Sequence, residues 1–111
     1  MKRGIYVADF ETSYTDENKN QRHVVLSGMR GVNKEYYSYK YSIQEFVDDI
    51  QYLKTLDDKI YIYFHNLDYD VSYIEDYFLR NNLQFEETRD ANSKTIYALK
   101  YENVTLLDSL S

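Results

Sequence analysis

Two acidic side chains stand two residues apart near the start of the chain. The segment YVADFETSY, residues 6–14, sets Asp9 and Glu11 among β-branched and aromatic residues that favour a strand. Alternate residues of a strand face the same side, so we expect both carboxylates to project together. They could lie in a solvated loop if the strand ends at Ala8, or they could guard a sheet edge against aggregation. A third possibility is that both bind a divalent metal ion, which needs a further ligand.

The segment FHNLDYD, residues 64–70, offers that ligand. It leaves an apolar run and enters a helical pattern, and functional residues collect at such strand ends. Asn66 and Asp70 are four residues apart and would share a helical face, and the helix dipole favours a carboxylate in the first turn. Asp68 and Asp70 could instead serve only as helix caps. Together, Asp9, Glu11 and Asp70 make a set of hard oxygen ligands typical of a Mg²⁺ or Mn²⁺ site.

The strands that would position these residues are predicted from runs of β-branched and aromatic residues. They cover residues 3–11, 22–30, 34–41, 60–66, 83–88, 94–101 and 103–110. The first three are expected to form an antiparallel meander. The run 60–66 is continuously apolar and aromatic, which predicts a central strand buried on both faces.

Two helices are predicted, over residues 42–56 and 68–82. Ser42 and Glu45 have capping-box spacing at the start of the first helix, and apolar residues follow at helical spacing. The second helix is predicted to begin with Asp68 as its N-cap and to stop at Asn81 or Asn82. The order of elements predicts one domain over residues 1–111, an α/β (α+β) fold with a mixed sheet and flanking helices. A meander followed by a helix and a central strand is also the opening order of the ribonuclease H-like fold.

Composition narrows the class of protein. The 111 residues include no cysteine, which excludes disulfides and thiolate metal sites and suits a cytoplasmic setting. The sequence contains no apolar run long enough to span a membrane, so no membrane partner is expected. The formal net charge of −6 counts against non-specific nucleic-acid binding but not against a metal-dependent site, where bound cations invert the local field.

The motifs carry a resemblance to family B DNA polymerases. DFET, residues 9–12, resembles the first exonuclease motif of that family, Asp-x-Glu, and FHNLDYD resembles the second, Asn-x-x-x-Asp, through Asn66 and Asp70. The likeness extends to the protein-primed polymerases of phages and linear plasmids, whose motifs carry Asp-Phe-Glu-Thr and Tyr-Phe-His-Asn forms. This chain has YFHN at 63–66, and LLDSLS at 106–111 resembles the family's segment with a Ser-Leu pair.

The resemblance implies a 3′→5′ proofreading exonuclease that uses two metal ions on single-stranded DNA. By position, Asp9, Glu11 and Asp70 would be the metal ligands and catalytic carboxylates. Asp9 would bridge both ions, Glu11 would orient one ion and the nucleophile, and Asp70 would hold the other ion. The positions that match contacts to the single-stranded 3′ end are Thr12, His65, Asn66, Tyr69, Ser109 and Leu110. For His65, the alternative is a hydrogen bond to backbone at a strand end, and Asn66 could be a turn residue.

The chain departs from the family where its sequence stops. The third exonuclease motif, Tyr-x-x-x-Asp, should follow the Ser-Leu segment, and it is absent. The chain is therefore interpreted as the N-terminal part of an exonuclease domain from a phage or mobile element of a bacterial host. Its partners would be the rest of the polymerase and the priming terminal protein. We expect at most trace exonuclease activity, no polymerase activity, and self-association through apolar surface left uncovered.

Two other functions remain open from the sequence. One is a catalytically inactive module that binds single-stranded DNA or a replication protein. The other is an acidic interaction protein that mimics DNA, for which Asp48, Asp49, Asp57 and Asp58 would serve better than the motif carboxylates. A set of three anions near a phosphate is not needed by a pure binder, which favours the exonuclease.

Overall fold

A seven-stranded mixed sheet and two helices form the described part of the chain, residues 2–14 and 22–109, in the computed structural model. The elements in chain order are β1 (Arg3–Tyr14), β2 (Arg22–Gly31), β3 (Tyr37–Lys40), α1 (Ile43–Leu53), β4 (Lys59–Phe64), α2 (Leu67–Arg80), β5 (Glu86–Arg89), β6 (Ile96–Tyr101) and β7 (Val104–Asp108). Neither helix is long and apolar enough to cross a membrane.

The strands follow the order β3-β2-β1-β4-β7-β6-β5 across the sheet. The first three strands pair antiparallel, which confirms the predicted meander. Strands β4 and β7 then extend the sheet parallel to β1, and β7, β6 and β5 pair antiparallel at the other edge. The predicted α+β class with a mixed sheet and flanking helices is therefore confirmed.

Both helices pack on the same face of the sheet, and the core lies between them and that face. On β4, Ile60, Ile62 and Phe64 are fully buried against the helices, whereas Tyr61 and Tyr63 are only half-buried on the opposite face. The prediction that this strand is buried on both faces is wrong, because no described helix covers the second face. The run looks apolar in the sequence because of its tyrosines, and tyrosine side chains can lie half-buried on an uncovered face of a sheet.

Helix α1 begins with the capping box that its sequence predicts. The Ser42 hydroxyl accepts a hydrogen bond from the Glu45 backbone N–H at 3.1 Å, and the Glu45 carboxylate accepts one from the Tyr41 N–H at 2.8 Å. These bonds satisfy backbone donors that have no partner within the helix. The helix ends at Leu53, three residues before the predicted end, and Lys54 is its C-cap.

Helix α2 begins one residue earlier than predicted, at Leu67, with Asn66 as its N-cap. The assignment of Asp68 as N-cap is wrong, because its carboxylate accepts a hydrogen bond from the backbone N–H of Ile96 at 2.8 Å instead. Helix α2 ends where predicted: Asn81 is the C-cap, and Asn82 has a left-handed φ of 56°. The Leu83 N–H then bonds back to the helix at 2.9 Å, closing a Schellman motif.

Candidate functional site

The carboxyl end of β1 carries the two carboxylates of the first motif on one face. The strand continues to Tyr14, so the possibility of a loop beginning after Ala8 is wrong. Its parallel pairing with β4 does end at Ala8, and only the β2 side stays paired beyond that point. Phe10 points into the core, and Asp9 and Glu11 on either side of it are exposed on the face away from the helices.

Asp70 lies buried in the first turn of α2, with 6% of its surface exposed. Its carboxylate accepts no hydrogen bond from a described residue, and its oxygens keep some contact with solvent. Burial, and then the negative charge of Asp9, raise the pKa of Asp70 from an ordinary value of 3.8 to about 6. Helix α2 therefore brings Asp70 within electrostatic reach of Asp9, as expected for two ligands of one site.

A complete set of metal ligands is not assembled. Among residues 2–14 and 22–109, no three His, Cys, Asp or Glu side chains are grouped so that they could hold one metal ion. Asp9 and Asp70 do fit a hard cation, because a largely buried carboxylate close to a second anion is a donor set that Mg²⁺ or Mn²⁺ would neutralise. Glu11 shares a strand face with Asp9 but does not form a group of three ligands with Asp9 and Asp70.

A groove of about 560 Å³ runs over the helix-free face, and we call it the open-face groove. Asp9, Glu11, His65 and Ser109 contribute to its lining. Ser109 is held there because its backbone N–H donates to the carbonyl of Phe64 at 2.8 Å, just beyond the parallel pairing of β4 and β7. Four of the predicted site residues from three separate segments thus meet at one end of the sheet.

The remaining predicted DNA contacts lie elsewhere. Tyr69 is 51% exposed, packs edge-on to Tyr73 at 6.4 Å between ring centroids, and lines a separate groove of about 550 Å³ beside α2. Thr12 accepts a hydrogen bond from the Arg22 side chain at 2.9 Å, and Arg22 lines that second groove. Asn66 is exposed as the helix N-cap. Leu110 lies outside the described residues.

Several residues near the predicted site were not predicted from the sequence. Arg22 brings a guanidinium within 4.7 Å of the Tyr14 ring centroid and binds Thr12. Gly28, Arg30 and the tyrosines of β3 line the open-face groove with the acidic residues. No local pattern marks them, since their positions depend on how β1, β2 and β3 are aligned.

No protein-family model, curated protein or solved structure matches this chain.

Proposed function

We propose that the chain forms part of a ribonuclease H-like 3′→5′ exonuclease domain of the family B polymerase type, which binds the 3′ end of single-stranded DNA. The strand order supports the fold. A three-strand antiparallel meander is followed by helix, parallel strand, helix and parallel strand, in the spatial order β3-β2-β1-β4-β7. The hairpin of β5 and β6 is an addition at the β7 edge of this arrangement.

The observation that carries the proposal is the buried carboxylate of Asp70 beside Asp9. Burial destabilises the ionised form of Asp70, and a second anion nearby increases that cost. A divalent cation held by the two side chains would offset both the cost of burying the charge and the repulsion between Asp9 and Asp70. Such a pair at the ends of parallel strands is also where open sheets bind ligands.

The residues around Asp9 and Asp70 could contact the nucleotide and the base. His65 and Ser109, in the open-face groove, offer hydrogen-bonding groups to a nucleotide beside Asp9. When bound, the cations would activate a water and stabilise the leaving 3′ oxygen. Glu11, on the same strand face as Asp9, is the residue that a bound ion would have to recruit. Tyr69 offers an exposed ring for a base on the helix side.

A second candidate function is a non-catalytic module that binds single-stranded DNA. The observation that favours it is that no three possible ligands are grouped around one metal position among the described residues. The exposed aromatic rings beside the grooves would serve such a module equally well. It predicts oligonucleotide binding that does not depend on metal.

Calorimetric titration with Mn²⁺, with and without a single-stranded oligonucleotide, separates these functions. For the exonuclease-type site we expect Mn²⁺ binding that strengthens when oligonucleotide is present and is lost in Asp9→Asn and Asp70→Asn. Asp48→Asn, at an exposed position of α1 away from both grooves, is the matched control. Oligonucleotide binding that is unchanged by EDTA would favour the non-catalytic module. Absence of both metal and oligonucleotide binding would refute the proposal.

A further inference from the structure

Three residues line up across β1, β2 and β3 on the face away from the helices. Asp9 of β1 pairs with Gly28 of β2, and Gly28 pairs with Tyr39 of β3. All three line the open-face groove. Since neighbouring strands are about 4.8 Å apart, the backbone of Tyr39 lies about 10 Å from that of Asp9, with only the glycine between them.

Gly28 is not required by the fold at this position. Its φ is not positive, so the backbone conformation suits any residue. A Cβ atom at Gly28 would meet the Tyr39 ring at 3.6 Å, which is ordinary van der Waals contact. Glycine within a strand usually weakens it unless another backbone or a ligand approaches closely. Without a side chain, Gly28 forms part of the groove floor between Asp9 and Tyr39, and the Tyr39 ring lies against it.

The far side of the glycine carries an aromatic pair. Tyr37 and Tyr39 are 65% and 53% exposed, and their rings meet edge to face with centroids 5.0 Å apart. Their hydroxyl groups are hydrogen-bonded to each other, which holds both rings in place. Exposed, pre-positioned aromatic rings are the surfaces on which single-stranded nucleic acids stack their bases.

An arginine side chain lies in the next row of paired residues on the same face. Arg30 of β2 pairs with Val7 of β1 and with Tyr37 of β3, and it lines the groove. Its guanidinium group is suited to a phosphate of a strand that crosses the glycine. Arg3 and Lys59 are paired with each other further along this face. The helix-free face is therefore acidic at the end of β1 and basic behind it, although the whole chain is acidic.

We propose that single-stranded DNA crosses the sheet over Gly28, stacks a base on Tyr39 and places a phosphate at Arg30. This inference rests on the proposed function, because it takes the 3′ terminus to lie beside Asp9 and Asp70. The strand then runs from the acidic end of β1 toward β3, and Gly28 is a specificity residue that admits a polynucleotide where a side chain would block it.

The test uses single-stranded oligonucleotides with 2-aminopurine placed in turn at successive positions from the 3′ end. Binding is measured by fluorescence anisotropy in the presence of Ca²⁺, and stacking by quenching of the 2-aminopurine. We expect quenching at one position near the 3′ end, lost in Tyr39→Leu, with affinity lowered about tenfold. Gly28→Val should lower affinity by a similar factor. Tyr97→Leu, an exposed position of β6 outside the groove, should change affinity less than about twofold.

Three results would overturn the inference. If the wild type binds and the Tyr39 and Gly28 variants bind equally well with unchanged quenching, the strand takes another path and the proposed function still stands. If the wild type binds no oligonucleotide under any metal condition, the proposed function fails as well. If light scattering shows a dimer that Gly28→Val dissociates, the face belongs to a second copy of the chain. Circular dichroism of each variant shows whether loss of folding is the cause. Gly28→Ala is the smaller substitution at the same position.

Discussion

Replacing Asp70 by asparagine should stabilise the protein at neutral pH while it removes the candidate metal ligand. Burial and the charge of Asp9 raise the pKa of Asp70 from 3.8 to about 6. For an acid whose pKa is raised by folding, the extra stability is fully present below the unfolded value and is lost as the pH rises through the folded value. The wild type should therefore lose stability between about pH 4 and pH 7.

The size of the effect follows from that change in pKa. A rise from 3.8 to about 6 corresponds to about 3 kcal/mol of stability lost once Asp70 is ionised. Asparagine is never ionised, but its buried amide N–H groups also lack partners, which costs about 1–2 kcal/mol. We therefore expect Asp70→Asn to be more stable than the wild type by about 1–2 kcal/mol at about pH 8, and no more stable at about pH 4.

Urea unfolding followed by circular dichroism across this pH range measures the difference. Asp76→Asn is the control: its side chain is 65% exposed and pairs with Arg80 at the surface, so its effect should stay within about 0.5 kcal/mol at every pH. In an Asp9→Asn background the gain from Asp70→Asn should shrink, because one of the two causes is gone. Mn²⁺ should narrow the gap by stabilising the wild type. A gap between Asp70→Asn and the wild type that does not change with pH would refute the reasoning.

Three further substitutions test the fold around the site. Ser42→Ala removes the acceptor for the Glu45 N–H and should lower the free energy of unfolding by about 1 kcal/mol in urea titrations, with Ser42→Asp close to wild type. Burial and the hydrogen bond with Glu87 raise the pKa of Glu75 to about 7, so Glu75→Gln should raise the melting temperature at about pH 8 and leave it nearly unchanged at about pH 4. Phe64→Leu, at a fully buried ring of β4, should cost about 1–1.5 kcal/mol without changing the far-ultraviolet spectrum; a larger loss would indicate that the neighbouring rings fail to close the space.

Local sequence patterns were sufficient to predict the elements of the fold, because each element is specified by its own residues. The capping box of Ser42 and the stop at Asn82 depend only on backbone groups a few positions away. The first residue of β3 was placed too early, at 34 rather than Tyr37. Where a strand begins pairing depends on its neighbour, and here the pairing with β2 starts at Tyr37.

The site was harder to predict than the fold. Asp9 and Glu11 could be expected on one face from strand alternation, and their common exposure confirms it. The separation of Tyr69 from His65 could not be foreseen, because it depends on which side of the sheet each residue faces after β4 ends. Asp68 shows the same limit: its partner, the N–H of Ile96, lies 28 residues away in the sequence.

Two residues at this end of the sheet are not explained by the needs of folding. The other two glycines have packing reasons, since a Cβ atom at Gly31 would lie 2.2 Å from a backbone oxygen and one at Gly4 would lie 2.9 Å from a carboxylate oxygen. Gly28 has no such reason, and glycine in a strand costs about 0.5–1 kcal/mol relative to alanine. Burial and the charge of Asp9 raise the pKa of Asp70 to about 6, so its ionisation should likewise lower stability at neutral pH. Residues that lower stability without a packing reason concentrate at functional sites, and both are near Asp9: Gly28 is its strand partner, and the charge of Asp9 acts on Asp70. Asp70 belongs to the second sequence motif, whereas Gly28 belongs to none, so Gly28 supports ligand binding at the end of β1 independently of the motifs.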